Sequence, residues 1–172
     1  MKQIRRSVFE TNSSSMHSVA IKCKGHMYDE SCLLVDVDDY IHVRFGEFGW
    51  EIESYIDAYS KLQYIVTMLV ETEGRNISCV EDLFETDGFK LINNAIADYC
   101  HCNGIWIDEE MKMKFYEWDG RKHWYLDHEG YIDHQSCECY RSVQDFLDDY
   151  GVNITDFIFN SAVVVRTDND NH

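Results

Sequence analysis

A change of period divides this sequence. Ile56, Tyr59, Leu62, Ile65, Val66, Leu69 and Val70 recur at the i, i+3, i+4 spacing that lines one face of a helix, and the run ends near Gly74. On both sides of it, apolar residues alternate or come in short blocks, as strands require. Strands, then helices, then strands, with no regular β-α alternation, predict an α+β fold with a mostly antiparallel sheet, a helical middle section and one short C-terminal helix. A length of 172 residues and a hydrophobic share of 45% suit a single domain, 1–172, with a real core.

The local signals place the elements. Before the helix, strands are expected at 18–22 (SVAIK), 33–37 and 41–45, with Gly46 and Gly49 breaking a hairpin into 50–52. Ser78 with Glu81 fits a capping box, and Phe89, Ile92, Ala95, Ile96 and Tyr99 form a second helical stripe that Gly104 would stop. Strands follow at 105–107, 111–118, 123–127 and 131–134, with tight turns at Asp119-Gly120 and Glu129-Gly130. Ser142 caps a helix over 143–150 that Gly151 ends, and 157–159 and 162–166 read as closing strands.

Charge limits the partners. Fifteen Lys and Arg stand against 32 Asp and Glu, a net charge of -17. Residues 1–26 carry +4 of it, which leaves -21 on the remainder. Such a chain is repelled by free nucleic acid and by anionic membranes, so basic proteins or metal cations are the better partners. No run approaches the ~18 apolar residues of a membrane span, and the N-terminus lacks a signal-peptide core, so a cytoplasmic setting is expected. Seven cysteines, an odd number, point in that compartment to reduced thiols rather than a disulfide framework.

Two segments suggest chemistry. Thr11, Asn12, Ser13, Ser14, Ser15 and His17 form a hydroxyl-rich run that suits an oxyanion, with Arg5 and Arg6 as nearby cations. The same run reads, before any chemistry, as a polar turn into strand 18–22. The second is a Cys/His cluster. Cys100, Cys102, Cys137 and Cys139 total four thiols, the number a tetrahedral zinc takes, although C-x-C is tighter than the usual knuckle. The acidic runs at 36–39 and 168–171 lack the spacing of an EF-hand and read as solvated turns. No G-x-S-x-G, Walker A or G-x-G-x-x-G motif is present. Phe115, Tyr116, Trp118, Trp124, Tyr125 and Tyr131 crowd one third of the chain, as a sheet core or as interface anchors.

The N-terminal FETNSSSMHS and the C-terminal FIFN and VVVRTDNDN resemble uncharacterised small proteins of phages and prophages in low-GC Gram-positive bacteria. The resemblance covers about 25 residues at the two ends and brings no activity with it. It implies an accessory protein of a mobile element, and it implies that the ends meet, with SVAIK beside AVVVR and 12–17 near 168–171. Three readings of function stand. The first is an acidic accessory protein that binds a basic host protein, such as an inhibitor of a nucleic-acid-handling or anti-CRISPR-type defence factor. The second is an enzyme or ligand-binding protein acting on a phosphate-bearing small molecule through 11–17, with His17 as acid or base and Asp168 or Asp170 as its orienting group. The third is an interaction module stabilised by zinc.

Overall fold

The computed structural model describes residues 2–3, 15–22, 24–49, 52–133 and 140–169. At its centre lies helix α1, Ala58–Thr72, opened by Asp57, whose carboxylate accepts the Ser60 N–H at 2.8 Å. The sequence stripe predicts one apolar face. The structure instead buries α1 nearly all round, including Tyr64, Met68 and Thr67 as well as Leu62, Ile65, Val66 and Leu69. Threonine is tolerated there because its hydroxyl donates to the Gln63 carbonyl and accepts the Gly46 N–H.

Lys61 is also fully buried. Its ammonium donates to the carbonyls of Asn160, at 2.9 Å, and Val163, at 3.4 Å, and lies 5.7 Å from the centre of the Tyr28 ring. These bonds tie α1 to the end of helix α4, Ile154–Phe159, and to the start of the last strand. Burial pulls the Lys61 pKa down to about 8.

The main sheet is antiparallel. Its strands are β1, Lys2–Gln3; β2, Ser15–Ile21; β5, Glu53–Tyr55; and β10, Val163–Asn169, in the order β1-β2-β10-β5. Val164 faces Ala20 and Val165 faces Val19, so SVAIK and AVVVR do lie side by side. Alternation puts Val19, Val163 and Val165 on the face that joins the main core. Around α1 pack helix α2, Asp87–Cys100; helix α3, Val143–Tyr150; and α4. Glu73, just past α1, joins them: its carboxylate accepts the N–H of Gly88 at 3.0 Å and of Val143 at 3.1 Å, adding one acceptor to the first turns that Thr86 and Ser142 cap. A Cβ at Gly88 would run into the Glu73 carboxylate, so any larger residue there would push Glu73 off this contact.

Several expectations shift. The capping box uses Cys79 and Asp82 rather than Ser78 and Glu81, and it opens a 3-10 turn over Val80–Glu85. Helix α2 ends on His101 in the left-handed conformation (φ 55°), three residues before Gly104. Residues 157–159, expected as a strand, lie in α4, because Asn153 caps that helix by accepting the Asp156 N–H at 2.8 Å. Of 33–37 only Val35 makes a β-bridge, to Ile41; Asp36 instead accepts the N–H groups of Asp38 and Tyr40 and closes a turn. Short parallel pairs, absent from the expected pattern, link β3, Ile41–Val43, to β6, Ile105–Ile107, and β4, Glu47–Phe48, to β9, Tyr131–Ile132. Glu129-Gly130 is therefore a connection to another strand pair and not a hairpin turn.

Candidate protein-binding surface

Strands β7, Lys112–Trp118, and β8, Arg121–Asp127, form a ribbon that pairs with no third strand among the described residues. Asp119 and Gly120 join them, both with positive φ (53° and 76°), which matches the twist a two-residue hairpin needs. The register is fixed from Lys112 opposite Asp127 to Trp118 opposite Arg121. At the root, Leu126 is buried and Met113 packs against the core. Leu126 lies beside Gly74 in the turn after α1. From there the ribbon extends as an arm.

Alternation decides what the arm displays. Phe115 and Trp124 share one face, with the Lys122 ammonium 4.2 Å from the Phe115 ring centre. Tyr116, His123, Tyr125 and Trp118 share the other, where Tyr116 stacks on His123 at 5.3 Å. Consecutive aromatics thus point to opposite sides, and no core covers either. Trp118 is 69% exposed and Trp124 51%, with Phe115, Tyr116 and Tyr125 exposed too. Of the two roles open to these aromatics, sheet core or interface anchor, the sheet core is not the one they fill. A two-stranded ribbon is marginal alone, so cross-strand ring contacts and the buried root hold it in shape.

The arm is not acidic. Residues 112–127 carry a net +1, which leaves -18 elsewhere. Its cations are largely engaged: Lys114 pairs with Asp127 at 2.6 Å and Lys112 with Glu110 at 2.9 Å. Beside the root opens a cleft of about 470 Å³, lined by Asp108, Glu109, Glu110, Asp127 and Glu129 against Arg44 and Lys112. A neighbouring hollow of about 280 Å³ shares Asp127 and His128 with it. Aromatic arm and acidic cleft are therefore continuous.

His42 stands next to the cleft. Its Nδ1 lies 2.7 Å from Asp108 and its Nε2 2.6 Å from Asp36. Both nitrogens facing carboxylates makes the doubly protonated ring the satisfied form, and these bonds, to Asp108 first and Asp36 second, raise the His42 pKa. With both nitrogens engaged, His42 is a clamp between the turn at Asp36 and the end of β6, not a free base. Sequence reasoning missed it, because its partners lie 6 and 66 residues away.

The candidates read from the sequence are only partly within view. Arg5, Arg6, Thr11, Asn12, Ser13 and Ser14 lie outside the described residues, as do Cys137 and Cys139. Ser15 and His17 fall in β2, opposite Asn169 and Thr167, so the described parts of the two end motifs do meet. Cys100 ends α2, and burial, with the nearby Cys102 and Cys32 adding to it, pushes its thiol up to about 12. Cys102 directs its sulfur at the carbonyls of Gly104, at 3.7 Å, and Ile96, at 3.9 Å. Among the described residues, no group of three or more His, Cys, Asp or Glu side chains is arranged to hold a metal ion. Nor, among the described residues, is any helix long and apolar enough to cross a membrane. Compared with protein-family models, with curated proteins and with solved structures, the chain matches none.

Proposed function

We propose that this chain is a protein-binding accessory factor, carried by a mobile element, that docks on a basic surface of a host protein. The observation that carries the reading is the arm: five large aromatic side chains exposed on both faces of a ribbon that has no third strand among the described residues. Trp and Tyr are the residues that most often anchor interfaces, because they bury large area at low entropic cost. The acidic cleft at the root supplies the complementary charge, and the -18 outside the arm speeds encounter with a basic partner. A basic surface of this kind marks proteins that handle nucleic acid, so occlusion of such a surface is the mode of action that fits.

The test is capture from nuclease-treated host lysate, followed by rebinding of purified components. The wild-type protein should hold one stoichiometric basic partner that leaves at high salt. Trp118→Ala with Trp124→Ala should lose that partner while keeping the wild-type melting temperature. Full retention by the double variant, or a captured partner that is acidic, overturns the proposal.

A further inference from the structure

The main sheet has a second face, turned away from α1. Val163 and Val165 point into the core, so Val164 and Arg166 point the other way. The register sets Ser18 of β2 on one side of Arg166 and Ser54 of β5 on the other. These three residues form one row across three strands, with neighbours in such a row about 5 Å apart.

Arg166 is anomalous in that row. It is half-buried, and its Nε is buried without any hydrogen-bond partner. Leaving a buried donor unmade costs roughly 1–3 kcal/mol, more for a charged group. The chain has 32 carboxylate side chains, yet Arg166 makes no ion pair among the described residues.

We propose that Arg166, flanked by Ser18 and Ser54, is an anion site for a tetrahedral oxyanion, inorganic phosphate or a small phosphate monoester. Guanidinium offers a planar fork of donors that engages two oxygens at once. A hydroxyl on each side donates to further oxygens. A tetrahedral anion has oxygens to meet all of these donors, whereas a planar carboxylate has two. A polyanion is disfavoured by the chain's net charge of -17, which repels nucleic acid at long range. The site is separate from the aromatic arm and does not rest on the reading of that arm. It moves the phosphate chemistry expected of the 11–17 segment onto the main sheet, with Arg166 as the cation.

The test is thermal denaturation at constant ionic strength, titrated with inorganic phosphate, with methyl phosphate, and with chloride as control. Phosphate or methyl phosphate should raise the melting temperature saturably, and a tighter response to methyl phosphate would identify a monoester as the natural ligand. Arg166→Gln should abolish the response. Ser18→Ala with Ser54→Ala should weaken it about tenfold. Without phosphate, Arg166→Met should be as stable as wild type or more so, because it removes an unsatisfied donor; a structural arginine would lose stability there. The proposal falls if the wild type responds no more to phosphate than to chloride, or if Arg166→Gln responds like wild type. Should Arg166→Gln fail to fold, an unchanged affinity in the double serine variant overturns it equally.

Discussion

Helix α1 and the β7–β8 arm are built from similar side chains put to opposite ends. In and around α1, Tyr64 lies among Phe48, Phe146 and Phe157, with ring centres 5.0, 6.0 and 6.4 Å away, and all four residues are buried. On the arm, Phe115, Tyr116, Trp124 and Tyr125 make comparable ring contacts, yet all are exposed. The first cluster spends its area on folding. The second leaves its area open to solvent, as interaction surfaces do. Apolar content alone therefore does not measure how much of a chain is core.

Substitutions should separate the two regions. The largest effect is expected at Phe157→Ala, which empties a fully buried site between α1 and α3 and should cost about 3–5 kcal/mol in urea denaturation. A loss below ~1 kcal/mol would mean the α1 cluster is not the core it looks like. Glu73→Ala should come next, at about 2 kcal/mol, since it leaves the first-turn N–H groups of Gly88 and Val143 without their acceptor while the Thr86 and Ser142 caps remain. Circular dichroism with hydrogen exchange would show fraying at 87–90 and 143–146 together; fraying at one end alone would break the shared-cap account.

Two pH slopes of opposite sign should follow. Lys61 has a folded-state pKa of about 8 against an ordinary 10.5, so between those values the unfolded chain binds more protons and stability rises with pH. Lys61→Met should flatten that rise. His42 has its folded-state pKa raised above the ordinary 6.5, so its contribution is complete below 6.5 and is lost as pH climbs through the folded value. His42→Gln should remove that loss, and an unaltered stability profile between pH 6 and 8 would sink the clamp. The smallest effect on folding is expected on the arm. Trp118→Ala should change stability by no more than about 0.5 kcal/mol, and a cost above ~2 kcal/mol would show the arm to be part of the core.

What the sequence revealed follows the range of the interactions. Helix α3 could be read closely, from Ser142 to Gly151, because its start and stop signals lie inside it. Helix α4 was obscured by Phe-Ile-Phe, a β-like triplet, although Asn153 and Asp156 supplied a cap signal. The parallel pairs β3–β6 and β4–β9 join segments more than sixty residues apart and leave no local trace. For the candidate surface, the aromatic residue types were plain and their exposure was not. A signal was nonetheless present: Phe115-Tyr116 and Trp124-Tyr125 are adjacent pairs, and a one-sided sheet buries only one member of each. The Asp36–His42–Asp108 clamp and the Ser18–Arg166–Ser54 row exist only once distant strands are in register.

The position of β10 bears on how the molecule assembles. It sits between β2 and β5, yet more than a hundred residues separate it from either strand along the chain. Closing so long a loop is slow compared with winding α1 and α2 or zipping the β7–β8 ribbon. Folding should therefore pass through a species with helices formed and the sheet missing its middle strand. In that interval β2 and β5 each present an unpaired edge toward the gap, the arrangement most prone to capture a strand from another molecule. The yield of folded protein should accordingly depend on chain concentration during refolding, and more steeply when β10 is weakened than when the arm is.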